Sequence, residues 1–175
     1  MRTKRTVGET LTHKSKEKLP NTAFHVMTLT MKIVDIFWGF SDKNFGLLGL
    51  KKGQTVIDYG CGPARYIKNA SDAVGDSGKV IAVDIHPLAI KKVVKKISKY
   101  NLSNVEVVHC SGYDTSIDDE VADVIYALDI FHMIEQPNPF LAELSRLAKK
   151  EGVIIIADGH QPRSSTLKKS KRALF

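Results

Sequence analysis

Five short apolar runs set the pattern of this chain. They are residues 54–59, 79–84 (KVIAVD), 104–110 (NVEVVHC), 122–128 (ADVIYAL) and 153–158 (VIIIAD). Each is a near-continuous stretch of β-branched and aliphatic residues, the pattern of a strand buried on both faces. Between them lie stretches of helical period. One runs from Pro63 to Val74 and stops at Gly75-Asp76-Ser77-Gly78. A second starts at Pro87, with Leu88, Ile90, Val93, Val94 and Ile97 inward and Lys91, Lys92, Lys95, Lys96 and Lys99 in water. A third spans Pro139 to Lys149, with Phe140, Leu141, Leu144 and Leu147 inward and Gly152 as its stop. Strands alternating with helices predict an α/β fold, a doubly wound, mainly parallel sheet of about five strands. A basic stretch follows the fifth strand.

Upstream, residues 1–19 are polar and without period, and read as an arm. Pro20-Asn21-Thr22 is a helix start. Phe24, Met27, Met31, Val34 and Trp38 then recur at helical spacing, and Leu29, Ile33, Ile36 and Phe37 widen the apolar stripe. Residues 1–40 are therefore expected to form an arm and a cover helix packed on a domain of residues 41–175. A lid over an apolar substrate and a membrane-surface helix are the other readings of so broad a stripe.

The chemistry clusters where such sheets bind ligands, outside the carboxyl ends of the strands. Asp58, Asp84, Ser111, Asp129 and Asp158 all lie at or just past a predicted strand end. Val56-Ile57-Asp58-Tyr59-Gly60-Cys61-Gly62-Pro63-Ala64 runs from a strand into a Gly-x-Gly turn, a place for a negatively charged ligand group. A dinucleotide site wants a third glycine where this chain has Arg65. Asp58 and Asp84 each have a plainer reading as a helix cap.

The same residues, in the same order, resemble the class I S-adenosylmethionine-dependent methyltransferases, in the branch related to ubiquinone and menaquinone biosynthesis. The likeness runs from Leu47 to Asp158. Val56–Ala64 resembles the first motif, with Ala64 in place of its last glycine, and Val83-Asp84-Ile85 the acidic end of the second strand. Val105–Ala122 is similar to the third strand and its acidic loop, and Glu143–Gly152 to a Glu-Ile-x-Arg-Val-Leu-Lys-Pro-Gly-Gly segment. The resemblance implies S-adenosylmethionine as cofactor and methyl transfer by in-line displacement to a small-molecule acceptor. It implies backbone N–H groups of Gly60, Cys61 and Gly62 on the methionine carboxylate, with Asp58 and the Gly60 carbonyl toward its ammonium. Asp84 would take both ribose hydroxyls, Ile85 the adenine face, the Gly112 N–H an adenine nitrogen, and the Leu128 carbonyl the ammonium. Ser111 stands where the family often has Asp. His132 would lie near the methyl acceptor as a general base, with helix-start packing as the plainer reading; Asp129, His25 and Tyr113 are further candidates. The family's sheet has two more strands, so the fifth strand is expected to be an edge covered by the last fifteen residues, the N-terminal arm or a second chain, the last giving a homodimer.

Charge narrows the partners. The chain carries +7 overall, but residues 1–20 hold +4 and residues 161–175 hold +5, leaving 21–160 at −2. The positive charge is in the tails, which argues against nucleic acid as partner. Two cysteines, Cys61 and Cys110, make no disulfide framework, and no secretory signal or spanning run is visible, so a cytoplasmic setting without membrane insertion is expected. No cluster has metal spacing. An RNA or protein methyltransferase and a non-catalytic cofactor-binding module are the alternatives. The absence of an Asn-Pro-Pro-Tyr-like run at Leu128-Asp129-Ile130-Phe131 counts against amino-group acceptors.

Overall fold

The structure is a computed structural model, and it describes residues 17–38 and 45–173. Its elements in chain order are α1 (Asn21–Trp38), β1 (Thr55–Tyr59), α2 (Ile67–Val74), β2 (Lys79–Asp84), α3 (Pro87–Tyr100), β3 (Val105–His109), β4 (Ala122–Leu128), α4 (Pro137–Leu147), β5 (Ala148–Ala157) and α5 (Arg163–Ala173). The five strands form one sheet in the order β3-β2-β1-β4-β5, every pair parallel. The chain starts in the middle, builds outward through β2 and β3, then returns to the other side of β1 for β4 and β5. The order therefore reverses between β1 and β4, and the crevice for a ligand lies at their carboxyl ends.

Alternation along the strands feeds two cores. Val56, Val80, Ala82, Val124 and Tyr126 point to one face, where α1, α2 and α3 cover them. Ile57, Tyr59, Ile81, Val83, Ile125 and Ala127 point to the other, under Phe140, Leu144 and Leu147 of α4. The cover helix is anchored at three points. Phe24 stacks on His86 with ring centroids 4.5 Å apart, the Leu19 carbonyl lies 3.0 Å from His86 Nε2, and Asp35 pairs with Arg65. Among the described residues no helix is long and apolar enough to cross a membrane.

Four expectations are corrected. The helix after the glycine turn begins at Ile67, four residues later than Pro63, because Ala64 adopts φ 63° and no α-helix passes through that conformation. The segment expected as one helix up to Lys149 ends at Leu147, and β5 begins at once at Ala148. Gly152 is not a helix stop. It lies in β5, where Ala148 pairs with Ala122 but Val153 pairs with Val124, so extra residues bulge out of register. A Cβ at Gly152 would meet the Ala122 carbonyl oxygen at 2.7 Å, so the close crossing there requires glycine. The basic stretch after β5 contains a helix, α5, which packs on α4 and sends Lys169 Nζ to the Phe131 carbonyl at 2.5 Å. Of the three coverings expected for the β5 edge, α5 leaves Val153 52% exposed and Ile154 38%, while residues 1–16 of the arm lie outside the described residues.

Candidate functional site

β1 and β4 are register neighbours, with Asp58 opposite Tyr126. In a parallel pair that places both side chains on the same face, here beneath the turn that follows β1. Asp58 is almost wholly buried, and neither its Oδ2 nor the Tyr126 hydroxyl has a hydrogen-bond partner of good geometry among the described residues. Burial and the nearby Asp84 charge raise the Asp58 pKa to about 8. Most of this carboxyl is therefore protonated at neutral pH until a cation arrives. The same burial pushes the Cys61 thiol well up, beside Asp58 and Asp84, which leaves Cys61 a small packing residue.

Above Asp58 the chain turns through Gly60-Cys61-Gly62. Gly60 takes φ 80°, and a Cβ there would come within 2.6 Å of Ile130 Cδ1. The N–H groups of Gly60 and Cys61 both donate to the Val83 carbonyl, at 2.8 and 3.0 Å, and that of Gly62 donates to Asp84 Oδ2 at 2.8 Å. All three N–H groups expected to face a carboxylate are thus engaged within the protein. Asp84 also accepts the His86 N–H on Oδ1 at 2.7 Å. Its carboxylate ties the glycine turn to the start of α3, where His86, not Asp84, is the cap: Nδ1 accepts the Leu88 N–H at 3.1 Å.

Two adjoining cavities open over this turn and share Glu17, Gly60, Asp84, Ile130 and Met133. Ile85 and Gly112 line the first, and Cys61, Gly62 and Leu128 the second. A Cβ at Gly112 would meet nothing within 4 Å, so the wall is open there. Asp58 lies beneath the second cavity without lining it, and Ser111 is exposed beside the first. Phe24, Met27 and Met31 of α1 close the second cavity on its outer side.

His132 lies in the turn after β4 and lines neither cavity. Its N–H donates to Asp158 Oδ2 at 2.5 Å, and its Nδ1 is 3.1 Å from both Asp158 oxygens. The Asp158 side chain is fully buried, while that of His132 is partly exposed. The His160 ring stands 4.7 Å away. This buried carboxylate fixes the imidazole and leaves Nε2 facing outward from the pair. Of the other candidate bases, Asp129 accepts the Gly159 N–H at 2.8 Å and Tyr113 donates to Glu17; His25 is exposed on α1.

Sequence reasoning assigned Glu17 to an arm, yet it sits at the junction of the two cavities. It accepts from the Tyr113 hydroxyl and from the Glu135 N–H at 2.6 Å. A lone Glu in a polar, aperiodic stretch carries no signal for such a position. Among the described residues no group of three or more His, Cys, Asp or Glu side chains is arranged to hold a metal ion.

Residues 50–174 match the family described as "Methyltransferase domain". A solved S-adenosylmethionine-dependent methyltransferase from Aquifex aeolicus is similar in structure, with a TM-score of 0.69 and 29% identity, covering 76% of this chain and 78% of that one. The demethylmenaquinone methyltransferase of Staphylococcus carnosus is 30% identical over 128 residues, 72% of this chain. A ribosomal RNA large subunit methyltransferase E from Desulfatibacillum aliphaticivorans is 51% identical, but over only 39 residues, 22% of this chain. The chain spans about half, 52%, of the length of the Staphylococcus relative. The chain belongs to the class I S-adenosylmethionine-dependent methyltransferases.

Proposed function

We propose that this chain binds S-adenosylmethionine in the two cavities at the β1/β4 switch point and methylates a small, apolar acceptor there. The observation that carries the reading is the buried Asp58 carboxyl beneath the glycine turn, whose Oδ2 makes no hydrogen bond of good geometry among the described residues, with the Tyr126 hydroxyl and a second carboxylate, Asp84, beside it. One carboxylate lining the crevice, Asp84, and a second buried beneath it, Asp58, favour a ligand that brings positive charge and hydroxyl donors.

When bound, the cofactor supplies an electrophilic methyl group on a sulfonium. The residues of the chain bind, orient and exclude water. Asp58 becomes ionised when a ligand ammonium lies above it. Asp84 uses the lone pairs left over from Gly62 and His86 to accept ribose hydroxyls. Ile85 and the open wall at Gly112 receive the adenine, and the Leu128 carbonyl faces the ammonium. The N–H groups of Gly60, Cys61 and Gly62 hold the turn in place, and the carboxylate end meets them only if the turn shifts. Phe24, Met27 and Met31 favour an apolar acceptor, which is why we assign α1 as a cover over the cofactor domain; residues 1–16 of the expected arm and 39–44 around the expected boundary lie outside the described residues. Where the acceptor is a hydroxyl that reaches past the cavities to His132, Nε2 would take its proton as the oxygen–methyl bond forms and the sulfur–methyl bond breaks, with Asp158 holding Nδ1 and stabilising the imidazolium.

Thermal unfolding tests the binding half of the reading. S-adenosylmethionine or its demethylated product at a hundredfold excess over the dissociation constant is expected to add about 2.7 kcal/mol of stability, and NAD none. No shift with either methionine derivative would overturn it. For the transfer half, His132→Asn is expected to lower turnover of a hydroxyl acceptor about 10²-fold or more while leaving the cofactor-induced shift intact. Asp158→Asn is expected to lower it less and to change the pH profile of kcat. Equal rates in all three proteins would remove His132 from the mechanism.

A further inference from the structure

A surface helix ordinarily has one apolar stripe, and it faces the core. α1 has two. Phe24, Met27 and Met31 point into the second cavity and the core beneath it. On the opposite side Val26 is 63% exposed, Leu29 60% and Ile33 44%. Their spacings of three, four and seven residues place these three side chains on one face of the helix. Val34, 38% exposed, lies at the flank of the inward stripe, seven residues from Met27, and is not part of this face.

The charge around this stripe is one-sided. The only acid in Asn21–Trp38 is Asp35, and it is turned away into an ion pair, with Arg65 Nε 2.9 Å from Oδ2. Lys32 is exposed on the helix and Lys18 just before it. Residues 1–20 as a whole hold +4. We propose that the outward stripe of α1 is a peripheral docking surface for an anionic lipid bilayer. Val26, Leu29 and Ile33 enter the acyl boundary, while Lys18 and Lys32 meet the headgroups. The helix lies in the plane of the interface, since it is not long and apolar enough to cross.

A second copy of the chain fits the same stripe less well. Two-fold pairing would bring Lys18 and Lys32 of each copy to one shared interface, like charge on like charge. An anionic surface is the complement of that charge. Docking would also set the cavity wall formed by Met27 and Met31 one helix thickness, roughly 10 Å, from the lipid. The proposal rests on α1 and on Lys18 just before it, and does not depend on methyl transfer.

Co-sedimentation of the full chain with vesicles tests it. The chain is expected to bind phosphatidylcholine vesicles containing phosphatidylglycerol, to bind pure phosphatidylcholine far more weakly, and to lose affinity as salt rises. Leu29→Ser/Ile33→Ser is expected to lower the partition coefficient at least tenfold without moving the thermal transition, since both side chains are already in water. Lys32→Ala should lower it about fivefold, the equivalent of the ~1 kcal/mol that one basic residue contributes near an anionic surface. Absence of binding to the anionic vesicles would overturn the proposal, as would undiminished binding by the double variant. A dimer in light scattering that the double variant converts to a monomer, with no vesicle binding by either, would assign the stripe to a second copy instead.

Discussion

Replacing Asp58 by Asn is expected to stabilise the ligand-free protein and at the same time to destroy its affinity for S-adenosylmethionine. The folded pKa of Asp58, about 8, lies above its ordinary 3.8. Between these values the folded chain holds a proton that the unfolded chain releases, so stability falls as pH rises through that window. An asparagine keeps the shape of the protonated carboxyl and has no such dependence. The difference between variant and wild type should be near zero at pH 4 and grow to on the order of 4 kcal/mol by pH 7.5, from about 1.4 kcal/mol per pH unit. For a chain of this size that is a rise in Tm of about 10 °C. Thermal scans of both proteins across pH 4–9 measure it. A variant less stable than wild type at pH 8 would mean that Asp58 is paired in the folded chain.

Binding should move the other way. A cationic ligand group above Asp58 draws the carboxyl into its ionised form, so at pH 7 binding releases close to one proton. Calorimetric titration in two buffers of different ionisation enthalpy reads that proton directly, and affinity should rise with pH toward 8. In Asp58→Asn the released proton disappears, and the dissociation constant is expected to rise about 10²-fold, the loss of one charge-assisted contact worth roughly 3 kcal/mol. A residue that costs stability yet is needed for binding is the mark of a site built for its ligand.

The fold could be read from the chain because its strands are buried on both faces. β2 and β4 coincide with the apolar runs KVIAVD and ADVIYAL, since nothing but a covered parallel strand suits such a run. What could not be read was decided by tertiary contact. Ala148, Lys149 and Lys150 continue a helical pattern, yet pairing of Ala148 with Ala122 draws them into β5. Ala64 takes a left-handed conformation that composition does not announce. The site divides in the same way. Asp58, Gly60, Gly62 and Asp84 were legible from their places at strand ends. The partner of His132, Asp158, was marked only as another strand-end acid, because its role depends on β4 and β5 being neighbours. Glu17 and His86 were invisible, being fixed by contacts across 96 residues in one case and 67 in the other.

Removing the Asp84 carboxylate is expected to weaken both stability and binding, the opposite pairing of signs from Asp58. Its two oxygens hold the N–H of Gly62 at 2.8 Å and of His86 at 2.7 Å. His86 in turn caps α3, stacks on Phe24 and lies 3.0 Å from the Leu19 carbonyl, so one carboxylate connects the glycine turn, α3 and the cover helix. Burial raises its pKa, and the N–H donors of His86 and Gly62 offset part of that rise. Asp84→Ala leaves both donors without partners, at a cost of on the order of 2–4 kcal/mol. Asp84→Asn keeps one acceptor oxygen and turns an amide donor toward the other N–H, so its loss should be about half as large. In Asp84→Ala the ribose hydroxyls lose their acceptor and the turn is no longer held, so the dissociation constant for S-adenosylmethionine should rise at least 10²-fold; Asp84→Asn, with one acceptor left, should raise it less. Denaturant unfolding at pH 7 and calorimetric titration separate the two effects. Asp84→Ala with wild-type stability would show that the turn and α3 are tied together by other contacts, and wild-type affinity would place the cofactor outside these cavities.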